Sequence, residues 1–367
     1  MRKLKPVTIN FAVLLGSIVI FLAFCEFIVF RFIWLASDIP RLDFVSDVVR
    51  FAPHQSGVRR LRDEVAAPFA INAQGWNSGI GDYSRERRPG GARVAMVGDS
   101  FVEGLHVANT ASLAEVLGRT ITADRRPTEV HRFAISGAPL SQYVHMVERE
   151  VLGYRPDWIV VVVIHNDFDE SFRFVQGRYT SSFMKFKVAD GKVVTEIPPT
   201  PWRPDALEFL RQTATARFLL YRWQVRPQAL VDFFLPAPAQ AASRIAAWVE
   251  IDRILALRRE VEAVADHSVT RLAALSRGIG ARLLLVMDSD RPAIESGNAD
   301  SPAHELNRIL AAAAARHGVE FLDMHPVFAA HWAMHRRRFE FNVDGHWNEL
   351  GHSIVAAAIA ERIRDAR

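Results

Sequence analysis

The chain has 367 residues, half of them apolar and 23% charged, which excludes a disordered polymer and allows one large domain or two smaller ones to bury a core. Its 45 basic and 41 acidic side chains leave a net charge of +4, too small and too scattered an excess for a nucleic-acid footprint, so no nucleic-acid partner is expected. The single cysteine, Cys25, rules out an internal disulfide framework and any multi-cysteine metal site, and the 20 glycines and 18 prolines follow no repeat.

From Pro6 to Cys25 no charged residue occurs. A helix of that length rises ~30 Å, the thickness of a bilayer core. The apolar character continues through Phe30, and Trp34 suits the headgroup level. Arg2, Lys3 and Lys5 precede the run, whereas Arg31, Asp38, Arg41 and Asp43 follow it with mixed sign. The positive-inside rule then predicts a signal-anchor that meets the lipid bilayer through residues 6–30, with everything after about residue 35 outside. A cleaved signal peptide is the competing reading. The run is long for one, no small-x-small site follows it, and bulky Phe24 stands where a lipoprotein signal needs a small residue. Glu26 lies near the outer boundary, where it can reach headgroups or Arg31.

Residues 36–92 form a mixed lead-in with basic clusters at Arg59, Arg60 and Arg62 and at Arg85, Arg87 and Arg88, closed by Pro89-Gly90-Gly91. Arg93 to Val97 reads as a short buried strand ending in Gly98, and 111–121 as a helix. Val130 to Ile135 is a second strand, with a helix near 140–152. Trp158 to Ile164 is apolar at every position, as a central parallel strand covered on both faces would be. About residues 170–250 interrupt the alternation. Phe183–Val188 and Lys192–Ile197 flank Asp190-Gly191, a hairpin signal, and Pro198, Pro199, Pro201 and Pro204 follow. Two aromatic-rich helical patterns come next (Phe209, Phe218, Tyr221, Trp223, Phe233, Phe234), read as a lid or packed core. The rhythm resumes with a helix over 251–277, a strand Arg282–Met287, a helix near 303–316 and a strand Val319–Leu322. The last helix, about 348–364, has Leu350, Ile354, Val355, Ile359 and Ile363 on one face. This order predicts an α/β fold with a doubly wound, flavodoxin-like parallel sheet, which binds ligands at the carboxyl ends of its strands.

Polar residues cluster at those ends. Gly98-Asp99-Ser100 follows the first strand, Ser136-Gly137 the second and His165-Asn166-Asp167 the third, while Asp344-Gly345-His346-Trp347-Asn348 precedes the last helix. A serine at a strand-to-helix turn can be a nucleophile or a helix cap. The glycine can let an N–H approach a ligand or simply make a turn, and the asparagine can donate to an oxyanion or cap a loop. A histidine beside an acid suits a general base. His331 and His335 have i, i+4 spacing, but Trp332 replaces the glutamate of the metalloprotease pattern.

As a set, Gly98-Asp99-Ser100, Gly137, Asn166-Asp167 and Asp344 with His346 resemble, in order, the four blocks of the SGNH (GDSL-type) hydrolase family. The lead-in Ile71-Asn72-Ala73-Gln74-Gly75-Trp76 is similar to that of membrane-anchored members associated with bacterial envelope polysaccharide. After the basic tip and anchor over 1–35 and the lead-in over 36–92, the resemblance implies an SGNH hydrolase-like domain over 93–367 with an insertion at about 170–250. It implies a serine-dependent esterase or O-acyltransferase, with acetyl as the expected acyl group, acting on an acylated carbohydrate or other ester. Ser100 would be the nucleophile, His346 the base and Asp344 its acid, with Ser100, Gly137 and Asn166 forming the oxyanion hole and neither cofactor nor metal required. Two positions depart from the pattern. Ile164 stands where the family usually has glycine, and one residue rather than two separates Asp344 from His346. Asp288, just after the Arg282–Met287 strand, is therefore the reserve acid. The implied location is the bacterial inner membrane, with a cytoplasmic N-terminus and a periplasmic catalytic domain, and the implied protein partners are those of polysaccharide biosynthesis or export. A catalytically silent scaffold on the same fold and a lipid esterase are the alternatives.

Overall fold

The run Trp158–Val163 is buried at every residue and forms the middle strand of a five-stranded, all-parallel sheet. The computed structural model describes residues 6–122, 127–175, 177–225, 244–298 and 300–365; Arg2, Lys3, Lys5, Phe233 and Phe234 lie outside them. The strands are β1 (Ala92–Gly98), β2 (Thr128–Ala134), β3 (Trp158–Val163), β4 (Arg282–Met287) and β5 (Glu320–Asp323). Their spatial order is 2-1-3-4-5, so the order in which strands are added reverses between β1 and β3 while all strands stay parallel. Val94 pairs with Trp158 and Val97 with Val161 across that point, and Met287 pairs with Val163 on the other side.

Period-two alternation divides the apolar strands between two layers. Ile159, Val161 and Val163 pack with Tyr143, Val264 and Leu272 on one face, under the helices Leu140–Met146 and Arg258–Gly278. Val160 and Val162 pack with Leu117, Val355 and Ile359 on the other, under Leu113–Thr122 and Glu349–Asp365. The doubly wound α/β fold read from the sequence is the observed one.

Local differences have local causes. The helix expected over 251–277 is two, Ile251–Leu255 and Arg258–Gly278, because Leu257 leaves the helical region (φ −104°, ψ 32°). The helix after β2 widens into a π-helix at Val147–Val151 and ends at left-handed Arg155, whose successor Pro156 cannot continue it. The lead-in contains two hairpins that the sequence reading left unassigned, Leu42–Val45 with Val48–Phe51 and Ser56–Leu61 with Val65–Ala70. The first turns on Ser46 and Asp47, both at positive φ without a glycine, and the second carries Pro68, so neither shows the usual signature. Asp190 and Gly191 do adopt the expected positive-φ turn.

The chain divides into two units. The larger comprises the described parts of 40–57, 67–203 and 240–367 and contains the sheet. The smaller comprises those of 1–39, 58–66 and 204–239. Its helix Pro6–Phe24 continues as a π-helix, Cys25–Ile33. Ile9–Ile33 is, among the described residues, the one helix long and apolar enough to cross a membrane, and none of it is buried.

Candidate active site

The loops leaving β1, β2 and β3 meet the turn before the last helix around a cleft of about 620 Å³, lined by Ser100, Gly137, Asn166, Asp344 and His346 among others. That volume suits a small-molecule substrate. At the end of β1, Gly98 is required by space: a Cβ there would overlap the Val102 side chain. The chain then turns directly into the short helix Ser100–Glu103, capped by Asp99, whose carboxylate accepts the Phe101 N–H at 2.9 Å. Ser100 thereby begins a helix, where its N–H has no preceding helical carbonyl to bond.

His346 Nε2 lies 2.7 Å from Ser100 Oγ, and His346 Nδ1 bonds Asp344 Oδ1. The same oxygen accepts the His346 backbone N–H at 2.9 Å, so the one-residue spacing lets Asp344 hold both ends of the histidine. Asp288 lies elsewhere in the cleft. One of its oxygens pairs with Arg291, and the other accepts Trp347 Nε1–H at 3.1 Å. Gly137 has φ +73°, with open space where a Cβ would be, and lines the cleft. Asn166 donates one amide N–H to Glu170 at 2.9 Å, and an amide nitrogen has a second to give. Ile164, in place of the usual glycine, leaves Asn166 in the cleft, because Asp167 pins the turn. Its carboxylate accepts the Ile164 N–H at 2.7 Å and the Tyr143 hydroxyl at 2.9 Å.

Burial raises the Asp99 carboxyl to about 6, and it raises Asp167 well above the carboxylate range, with the Asp99 charge adding to the effect. Burial acts on Asp344 in the same sense. There the hydrogen bond from His346 and the positive charge of His346 and His106 prevail and hold the carboxyl far below its ordinary value. Asp344 is thus held as the anion beside the His346 ring.

Residues 96–354 match the GDSL-like lipase/acylhydrolase family. The chain belongs to this family. Its members are ester-hydrolysing enzymes. Among solved structures the chain is similar to a lipase/acylhydrolase from Enterococcus faecalis (12% identity, 75% of this chain and 96% of that one, TM-score 0.41). It is also similar to an acetylxylan esterase from Geobacillus stearothermophilus (14%, 74% and 95%, 0.41) and to the acetyl xylan esterase AlAXEase (13%, 74% and 99%, 0.40). No curated protein matches it.

Several residues that support this GDSL-like site escaped the sequence reading. Glu103 is buried, and its carboxylate takes both the Ser136 N–H (3.1 Å) and the Ser136 hydroxyl, which fixes the loop carrying Gly137. An acid three residues after the serine is its only sequence signal. His106 stacks on His346 with ring centroids 4.0 Å apart, and Phe101 approaches the same ring at 4.7 Å. His106, Asp344 and His346 offer ligand atoms within 4.8 Å of one another, a spacing open to a metal ion. Both His346 nitrogens already face Ser100 and Asp344, so a metal there would replace those bonds.

Proposed function

We propose that the chain is a serine-dependent esterase or O-acyltransferase that works through an acyl-enzyme, with Ser100, His346 and Asp344 as its triad. The supporting observation is the unbroken hydrogen-bond line from Ser100 Oγ through both His346 nitrogens to Asp344, at the wall of an open cleft. In this reading His346 Nε2 takes the Ser100 proton as Oγ attacks the ester carbonyl carbon. The oxyanion accepts hydrogen bonds from the Ser100 and Gly137 N–H groups and the Asn166 amide. The carbon–oxygen bond to the alcohol breaks, and His346 returns the proton to the departing alkoxide. Water or a sugar hydroxyl then gives its proton to His346 and attacks the acyl-serine, releasing acid or a new ester and restoring Ser100.

We read the substrate as an acylated, above all acetylated, carbohydrate outside the membrane, and the apolar N-terminal helix as the anchor of a periplasmic domain. Envelope polysaccharide proteins are the partners this location offers. The charged rim of the cleft (Glu170, Arg173, Glu250, Arg253) and the exposed indole of Trp248 favour a hydroxylated substrate over a long acyl chain. The test is labelling of the purified chain with a fluorophosphonate, followed by a screen of acetylated sugars. Ser100→Ala removes one oxygen at a turn. It should abolish labelling and lower turnover by at least ~10³, with an unchanged melting curve. Normal turnover by the alanine variant would refute the assignment.

A further inference from the structure

In the smaller unit, a charged residue sits in the apolar helix. The Glu26 carboxylate accepts the Ala214 N–H on one oxygen at 2.8 Å, and on the other the Thr215 N–H at 2.8 Å and the Thr215 hydroxyl at 2.9 Å. Arg31 donates to it at 3.2 Å. Phe218 stacks on Phe30 with centroids 4.3 Å apart and lies 6.5 Å from Trp34. Arg222 donates to the Leu35 carbonyl at 2.7 Å and to Asp63 at 2.8 Å, and Arg217 pairs with Asp38. Polar groups of Ala214, Thr215, Arg217 and Arg222 are therefore turned onto residues 26–38 and 62–63 of the same unit, while Asp205, Glu208 and Arg211 pair within the segment 205–225. Apart from Phe218, large apolar side chains of the segment face outward: Leu207, Phe209 and Leu210 are 56%, 69% and 59% exposed, and Leu219 and Leu220 are 41% and 36% exposed.

We propose that residues 205–225 are a second membrane-contacting element, a collar lying in the interfacial layer of the bilayer and clasped to the outer end of the anchor helix by Glu26 and Phe218. The proposal rests on reading that helix as an anchor. The occupant follows from continuity. The segment is joined to the helix stretch Cys25–Ile33 through Glu26 and Phe30, and that stretch is itself exposed and apolar, with Phe27 and Phe32 at 62% and 73%, so one apolar solvent serves both. The arginines fit that depth, because their stems cross apolar surface while their guanidinium groups reach polar partners, and Trp34 and Trp223 are of the type that anchors at headgroups. The clasp also explains how a carboxylate is tolerated near the end of a membrane span: every bond it needs comes from the collar and Arg31.

The test uses the full chain with Cys25→Ala, in phosphatidylcholine nanodiscs with or without doxyl-labelled phosphatidylcholine. Single cysteines at Phe11→Cys, Phe209→Cys and Lys192→Cys carry an environment-sensitive fluorophore. Labels at 11 and 209 should lose at least about half their emission to the quencher, and the label at 192 should be unaffected. Glu26→Ala or Phe218→Ala should return the label at 209 to the behaviour of the one at 192 while that at 11 stays quenched. A label at 209 that behaves like 192 beside a quenched 11 overturns the collar alone. An unquenched 11 overturns the anchor reading as well. Full quenching at 209 in both clasp variants overturns the clasp. Cross-linking between two copies through residue 209, without quenching, assigns the surface to a second chain and overturns the membrane proposal.

Discussion

Exchanging Asp344 and Asp288 in turn for the amide separates the roles of the two candidate acids. Asp344 Oδ1 accepts from both the side chain and the backbone of His346. In Asp344→Asn the negative charge is gone, and a single amide atom must take the place of the oxygen that serves both bonds. An amide nitrogen turned toward the ring donates to Nδ1 and drives the imidazole proton onto Nε2, where it faces Ser100 as a donor instead of a base. The same exchange in a serine protease costs ~10⁴ in kcat, about 5.4 kcal/mol of barrier at ~1.36 kcal/mol per decade. Asp288→Asn acts on stability instead. It removes one of the two carboxylates that pair with fully buried Arg291, leaving Glu340 at 3.0 Å. Breaking a buried pair outright costs about 3–5 kcal/mol, and the surviving partner places this case near 2–3. The melting temperature should fall by roughly 4–12 °C at ~2–4 °C per kcal/mol, and turnover by less than about tenfold. The assay is hydrolysis of one acetyl ester by the purified chain, with thermal melts of the same samples. A loss of ~10³ or more in Asp288→Asn at native stability, with Asp344→Asn retaining more than about a tenth of its activity, would refute the reasoning.

Three further outcomes follow from the same contacts. Glu103→Ala strips the Ser136 N–H of its acceptor and should lower kcat about 10- to 100-fold with little change in KM, whereas Glu103→Gln should recover most of the rate; equal losses in both, tracking stability, would reduce Glu103 to a core residue. Gly137→Ala meets no steric obstacle but holds a non-glycine residue at φ +73°, so it should cost about 1–2 kcal/mol by chemical denaturation, and a neutral result would contradict the backbone assignment. His131 and His352 are both held neutral by burial, to about 3; the unfolded chain protonates near 6.5, so their contribution is complete above that pH and is lost as pH falls toward 3. The raised Asp99 and Asp167 oppose this trend, because the folded chain takes up their protons before the unfolded chain does, Asp99 at about 6. His352→Asn keeps an acceptor for the Leu113 N–H and should flatten the dependence of unfolding free energy between pH 7 and 5 by up to one proton, and an unchanged slope would refute the assignment.

The sheet was legible because a parallel strand buried on both faces must be apolar throughout, and Trp158–Val163 admits no other reading of comparable economy. The candidate site was legible because polar residues end those strands abruptly, at Asp99-Ser100, Ser136 and His165-Asn166. Two kinds of information were not. Single side-chain partners have no periodicity, so nothing in the sequence said that Asp288 is taken by Arg291 and Trp347, or that Glu103 reaches Ser136 across 33 positions. Long-range gathering was equally silent. Residues 58–66 and 204–225 join the N-terminal helix through contacts such as Glu26 to Thr215, 189 positions apart, and no local pattern encodes such a pairing.

The short Asp344-Gly345-His346 spacing illustrates why a motif can shorten and keep its geometry. The turn is set from outside by a relay of bonds. Arg291 donates to the Gly345 carbonyl at 2.7 Å and to Glu340 at 3.0 Å while pairing with Asp288. Trp347, directly after the histidine, sends its indole N–H to Asp288, and Trp248 donates to Glu340 at 3.1 Å. A Cβ on Gly345 would meet the Trp248 ring at 2.9 Å, so the position fits only a glycine pressed against that indole. The residue missing between acid and histidine is thus replaced by anchors on the main chain of the turn and on the residue after it. The same relay occupies both oxygens of Asp288. Of Asp288 and Asp344, the one held by no arginine is the one that faces the imidazole.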